Sequence, residues 1–291
     1  MSALASDLQS TSLPDASDIR LLVLDIDGTI SGESNTIRPA VLEAIRAVQA
    51  KGIQVAIATG RMYCAALRFY EAVGSTLPLL SYQGAYVKEP KTGVVHHHWP
   101  VARHTAEQLL DYFEDVERRP DVDTSLSIHF YINDRLYVRE MTPETEAYAE
   151  RSGVTPNPVG DLRSVLTDDP TKVLALSHDP LLIDQLLDSL RQRYTPAELY
   201  FTKSVATFFE AANPQVNKGV AVRYLAEQLL GLSASQVMTI GDNFNDVEML
   251  DYAQIGIAMG NAPEAVQAFA DWTTADVEED GVAIALEKFL L

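Results

Sequence analysis

The chain has 291 residues, 47% of them apolar and 22% charged, with a formal net charge of −19. That length is comfortable for two domains, and the composition is ordinary for a globular protein. So acidic a surface repels nucleic-acid backbones and anionic membranes, no apolar run approaches the roughly 20 residues that span a bilayer, and a phosphate site would need its own local cation.

Residues 1–18 are polar and rich in Ser and Asp, with neither a basic start nor an apolar stretch. They read as a flexible tail and not as a leader. Residues 21–24 form a short apolar run, the pattern of a buried parallel strand. A helix is predicted over 39–51, with Pro39 at its start and Gly52 at its end. A strand follows at 53–58, a helix at 62–73 stopped by Gly74, and a third strand at 77–82. Cys64, the single cysteine, is expected as a small buried residue of that second helix. One cysteine builds no disulfide framework, which suits a cytoplasmic protein. This strand–helix alternation predicts an α/β fold with a doubly wound parallel sheet.

The middle of the chain changes grammar. Strands at 127–132 and 136–138 flank Asn133-Asp134, a hairpin signal. Helices are predicted at 105–117 and 181–193, a strand at 172–177, and a loop around Pro156 and Pro158. Residues 85–208 are therefore read as an inserted α+β unit, and 19–84 with 209–291 as the catalytic core. The α/β grammar resumes with helices at 219–230, 246–252, 263–269 and 282–289 and strands at 237–240 and 255–259.

The sharpest chemical signal is Asp25-Ile26-Asp27-Gly28-Thr29 at the end of the first strand. Ligands of open α/β sheets bind beyond the carboxyl ends of the strands, and residues i and i+2 of an extended chain share a face. Thr59-Gly60-Arg61 ends the second strand, Asn217-Lys218-Gly219 opens a helix, and Gly241-Asp242-Asn243-Phe244-Asn245-Asp246 follows the strand at 237–240. Together Asp25, Asp27, Asp242 and Asp246 would crowd one pocket. Two like charges about 4 Å apart repel by roughly 4 kcal/mol at an effective dielectric of about 20. The cluster needs a bound cation, a protonated member, or both, and Lys218 supplies one positive charge. Oxygen ligands without His or Cys favour Mg²⁺. One protonated carboxyl beside ionised neighbours is also what general acid catalysis requires.

These four segments, in this order, resemble the motifs of the haloacid dehalogenase-like phosphatase superfamily. Gly241 to Asp246 with Met249, Tyr82-Gln83-Gly84-Ala85, and Gly281-Val282-Ala283 resemble its Cof-type subfamily. The insert also falls where that subfamily carries an α/β cap. The resemblance implies Asp25 as the nucleophile that forms an aspartyl-phosphate and Asp27 as the general acid and then base. It implies a metal site of Asp25, Asp27 through its main-chain carbonyl, and Asp242. Thr59, Gly60, Lys218 and Asn245 would hold the phosphoryl group, and Asp246 would stand beside the metal. The chain departs from the pattern at Gln83 and Asn217, neither a catalytic group. The function implied is an Mg²⁺-dependent phosphatase of small phosphorylated metabolites, either sugar phosphates or cofactor- and nucleotide-type monophosphates. Its partners would be a small metabolite and no nucleic acid or membrane, and its state a monomer or small homo-oligomer. The alternatives are a phosphotransferase or mutase using the same two acids, and a non-catalytic metabolite-binding protein.

Other features carry less. His96 to His98 are expected as a solvated strand, Trp99 and Phe208-Phe209 as packing, and the acidic 276–280 run as a solvated loop. Arg61 is expected either to touch phosphate or to pair with one of the acids.

Overall fold

The computed structural model describes residues 15–120, 126–203 and 205–291. Most of the expected tail, 1–14, lies outside the described residues. In chain order the first elements are β1 (Leu21–Leu24), α1 (Pro39–Ala50), β2 (Gln54–Ile57), α2 (Tyr63–Val73), β3 (Leu79–Ser81), β4 (Tyr86–Lys88) and β5 (Val95–His98). Next come α3 (Arg103–Glu117), β6 (Ser127–Ile132), β7 (Arg135–Val138), α4 (Pro143–Ser152), β8 (Asn157–Pro158), β9 (Lys172–Leu176), α5 (Pro180–Arg193), β10 (Tyr200–Thr202) and β11 (Phe208–Ala212). The chain closes with α6 (Lys218–Arg223), β12 (Val237–Gly241), α7 (Val247–Tyr252), β13 (Ile255–Ala258), α8 (Glu264–Gln267), β14 (Trp272–Thr273) and α9 (Gly281–Phe289).

The first sheet is parallel, in the order β14-β13-β12-β1-β2. Its strands are buried on both faces because successive side chains alternate between two cores. Leu22 and Leu24 of β1 join Ile45, Val48 and Leu286 under α1 and α9. Leu21 and Val23 join Val222, Leu225 and Met249 under α6 and α7. β3 continues this layer only through a parallel bridge of Leu80 to Ala58. Its remaining pairing is antiparallel, to β4 and through it to β5.

The second sheet is six-stranded, in the order β10-β11-β9-β6-β7-β8. It is antiparallel except for the β7–β8 pair, where Asn157 and Pro158 add a short edge strand in place of the expected loop. Asn133 and Asp134 take left-handed backbone angles (φ 53 and 57) and close the β6–β7 hairpin. One face packs Ile128, Phe130, Val173 and Phe209 against α3 and α5. The opposite face carries His129, Tyr131, Lys172, Leu174 and Glu210, by the period-two alternation of strands. This is the cap sheet. Its last strand runs to Ala212, past the expected boundary at 208, while β4 and β5 pair with β3 beside the first sheet. The chain crosses between the two sheets twice, and the crossings touch where Asn213 Nδ2 donates to Pro100 O at 3.0 Å.

Two local expectations differ. The helix expected over 219–230 is α-helical only to Arg223 and continues as a wider π turn over Tyr224–Leu229. Cys64 lies on α2 as expected but is exposed. It sits in the first turn, where its N–H donates to Asp134 of the β6–β7 turn at 3.0 Å, so this position meets the cap while Tyr63, Ala65 and Ala66 beside it face the core. The acidic 276–280 run is the expected exposed loop before α9, tied down where Arg38 pairs with Asp280 at 2.6 Å and Glu278 accepts the N–H of Glu33.

Candidate active site

β1 delivers Asp25 to the carboxyl edge of the first sheet, its N–H still bonded to Ile240 O of β12 at 3.1 Å. The side chain is buried. Gly28 then turns the chain with φ 75, and a Cβ there would collide with the Asp242 carboxylate. Both facts demand glycine. Asn217 caps α6 by accepting the N–H of Val220 at 2.7 Å, which places Lys218 at the first helical position. Lys218, 1% exposed, reaches Asp25 Oδ1 at 2.8 Å and Asp246 Oδ1 at 2.5 Å. Asp246 is pinned in turn, its Oδ2 accepting the N–H groups of Asp242 (2.9 Å) and Asn243 (3.0 Å). Asn245, in the same turn, donates to Gln83 Oε1 at 3.0 Å. Thr59 follows β2, and its hydroxyl oxygen accepts the N–H of Arg61 at 3.2 Å.

Carboxylate oxygens of Asp25, Asp242 and Asp246 lie within 4.8 Å of one another. Burial, and then the charge of Asp246, raise Asp25 to about 7 even against the opposing pull of Lys218. Burial, then Asp246 and Asp25, raise Asp242 to about 9. One lysine does not neutralise three carboxylates packed this closely. An all-oxygen, anionic donor set of this kind suits a hard divalent cation.

Asp27 behaves differently. Its carboxylate turns from that cluster to Arg61, which approaches Oδ2 through Nε at 2.8 Å and Oδ1 through Nη2 at 2.7 Å. Arg151, from the cap helix α4, adds a contact at 3.3 Å. Burial opposes ionisation of Asp27, but the two guanidinium groups outweigh it and hold the acid below its usual range. The residue expected as the general acid is therefore held ionised, because a planar guanidinium fork matches a carboxylate closely. Arg61, which the sequence left open, is mainly a partner of Asp27.

A cavity of about 410 Å³ lies over these groups. Asp25, Asp27, Thr59, Gly60 and Asp242 line its floor; Tyr148, Arg151, Lys172, Phe208 and Glu210 of the cap line its other walls. The cap residues were not singled out from sequence. Lys172 and Glu210 each left one trace, a charged residue inside an otherwise apolar strand; Arg151, on a polar helix, left none. His96 to His98 stay outside the site: His96 pairs with Glu89, His97 stacks on Trp99, and His98 contacts Thr171.

A three-layered α/β/α core with an acid cluster at its carboxyl edge and a cap sheet over it defines a class of phosphate-handling hydrolases. A sequence model of the haloacid dehalogenase-like hydrolases matches residues 22–286, and the chain belongs to that family. It is 30% identical over 276 residues to a 5-amino-6-(5-phospho-D-ribitylamino)uracil phosphatase of Bacillus subtilis (strain 168), covering 92% of this chain and 97% of that protein. It is 28% identical over 282 residues to a pyridoxal phosphate phosphatase of Escherichia coli (strain K12), covering 94% and 99%. The fold matches a haloacid dehalogenase-like hydrolase from Bacteroides thetaiotaomicron with a TM-score of 0.81 at 24% identity, covering 93% of this chain and 99% of that one.

Proposed function

We propose that the protein is a cytoplasmic, Mg²⁺-dependent phosphatase that hydrolyses small phosphorylated metabolites through an aspartyl-phosphate on Asp25. The observation that carries this reading is the buried Lys218 bridge between Asp25 and Asp246, with Asp242 beside it. Lys218 fixes one oxygen of Asp25 and thereby the direction of its carboxylate. Asp25 attacks phosphorus, the bond to the leaving oxygen breaks, and a water then cleaves the acyl phosphate. Splitting the displacement in two lowers each barrier.

Thr59, the Gly60 backbone, Lys218 and Asn245 would hold phosphoryl oxygens, the positioning that phosphoryl transfer mainly needs. Asp25, Asp242 and Asp246, with the Asp27 carbonyl, would hold Mg²⁺, which when bound supplies charge stabilisation for the phosphoryl oxygens. Asp27, ionised between Arg61 and Arg151, is set to take a proton from the attacking water. To protonate the leaving oxygen first, it must take up a proton as those contacts loosen.

Residues near 100–212 act as the cap, excluding water from the loaded site. The two named relatives act on a ribityl phosphate and a cofactor phosphate, which supports the sugar- or cofactor-phosphate class. Release of inorganic phosphate from p-nitrophenyl phosphate with Mg²⁺ tests the reading. No turnover would reject it, and transfer to a second alcohol in place of water would favour a phosphotransferase.

A further inference from the structure

Lys172 opens β9 and Glu210 lies in the neighbouring β11, both on the face of the cap sheet turned away from α3 and α5. Lys172 is 5% exposed and Glu210 2%, and Lys172 Nζ stands 2.8 Å from Glu210 Oε2. The ammonium also lies 3.4 Å from the carbonyl of Gly60 and over the ring of Tyr131. It therefore meets the core one residue from Thr59, beside the proposed phosphoryl site and on its cap side. Both members line the cavity. A buried ion pair rarely outperforms well-packed apolar side chains in stability, so a place on the cavity wall is the better reason for this one.

The nearby arginines already have an acid neighbour: Arg61 and Arg151 share Asp27, and Glu144 adds a further carboxylate, 3.6 Å from His178. A substrate carboxylate entering here meets cations that already have acid partners, and it meets Glu144 and Glu210 as like charges. A hydroxyl or ring amide edge meets an ammonium that donates and a carboxylate that accepts, side by side. The rings of Tyr148 and Phe208, 6.0 Å apart on the same wall, add an apolar face for the body of such a group.

We propose that the Lys172–Glu210 pair is the leaving-group subsite, and that it restricts the enzyme to phosphate monoesters whose alcohol is neutral and presents a donor and an acceptor side by side. This rests on the phosphatase reading above. Charge selection follows from the pair being neutral as a unit: it satisfies a polar group but leaves an added anion uncompensated in a poorly solvated site.

The test uses the full-length chain and compares kcat/KM for glycerol phosphate and phosphoglycerate, which share a skeleton and differ by one carboxylate. Ribose phosphate and pyridoxine phosphate serve as polyol and heterocycle, and p-nitrophenyl phosphate as reference. Wild type should favour glycerol phosphate over phosphoglycerate by about tenfold or more, the effect of one charge-assisted hydrogen bond gained or lost. Glu210→Gln, which releases Lys172 to a substrate carboxylate, should shrink that ratio to about threefold or less. The double variant Lys172→Met/Glu210→Leu removes both charges and avoids a lone buried one. It should lower the polyol or the heterocycle, whichever is preferred, by about tenfold relative to p-nitrophenyl phosphate. Equal or greater wild-type turnover of phosphoglycerate overturns the proposal even if neither variant folds, and so does an unchanged ratio in folded variants. Absence of p-nitrophenyl phosphate turnover by wild type would instead strike the phosphatase reading itself.

Discussion

Arg151 on the cap helix α4 donates to Asp27 Oδ1 in the core at 3.3 Å, across 124 residues of sequence. The link closes into a ring. The Arg151 carbonyl accepts Asn35 Nδ2 at 2.7 Å, Asn35 Oδ1 accepts Arg61 Nη2 at 2.8 Å, and Arg61 holds Asp27 through both oxygens. The cap thus touches the proposed acid–base residue directly. Arg151 is mostly exposed, so its pair is worth less than about 1 kcal/mol. Arg151→Ala should lower kcat/KM by roughly fivefold or less, while Arg61→Ala, which removes a buried bidentate partner, should cost roughly a hundredfold. Steady-state kinetics on the two variants check the order, and an Arg151 effect exceeding that of Arg61 would contradict it.

Asp25→Asn should lower turnover by at least about a thousandfold, since an amide does not form the acyl phosphate. Lys218 keeps Asp246 as its partner in that variant, so the far-UV spectrum and melting temperature should stay near those of wild type. Activity within about tenfold of wild type, roughly 1.4 kcal/mol of barrier, would remove Asp25 from its role.

Chelation by EDTA should abolish turnover, with Mg²⁺ restoring it. Mg²⁺ should also raise the melting temperature in wild type, because a ligand that binds only the native state stabilises it. Asp242→Ala should weaken both responses, having lost one of three clustered carboxylates. Full activity in chelator would reject the metal, and recovery with Zn²⁺ alone would reject its identity.

Replacing residues 101–212 by a short Gly/Ser linker should leave a core that hydrolyses p-nitrophenyl phosphate but no longer ranks metabolites. The crossings are already adjacent at Pro100 and Asn213, so the splice spans little distance. Discrimination is assigned to the cap because remote contacts to the leaving group lower the barrier for the right substrate. A truncated core that keeps the wild-type ranking in a metabolite screen would place specificity in the first sheet.

His129 is buried in the cap, bonded to Thr145 at 2.9 Å, and burial together with Lys172 drops its imidazole to about 3. In the unfolded chain the imidazole takes its proton near pH 6.5. Between these values the unfolded state binds the extra proton, so stability falls as pH is lowered through that window, by about 1.4 kcal/mol per unit. Denaturant unfolding should show wild type losing more stability than His129→Gln between pH 7 and pH 5. Equal losses would mean that His129 is not buried neutral.

Much of the core was readable because local rules and the tertiary fold agree there. The apolar run of β1, the proline at the start of α1, Gly74 after α2 and the Asn133-Asp134 turn are short-range signals, and each element forms within a residue or two of its expected place. The acid motifs were readable for the same reason, as each sits at the end of an element that the pattern reveals. Less readable were β4, α4, β10, β11 and β14. Three of those strands have two or three residues and take their order from cross-strand partners, which no local window contains.

By itself the sequence determined the α/β grammar, the acids at the strand ends, and the lysine at the start of α6. Only the tertiary structure decided how the charges pair. Lys218 goes to Asp25 and Asp246, Asp27 is drawn from the acid cluster by Arg61 and Arg151, and Lys172 meets Glu210 across two strands. Periodicity places a residue on a face, but the proton held by a buried carboxylate depends on which opposite charge lies within about 3–4 Å and how much water remains, and folding sets both.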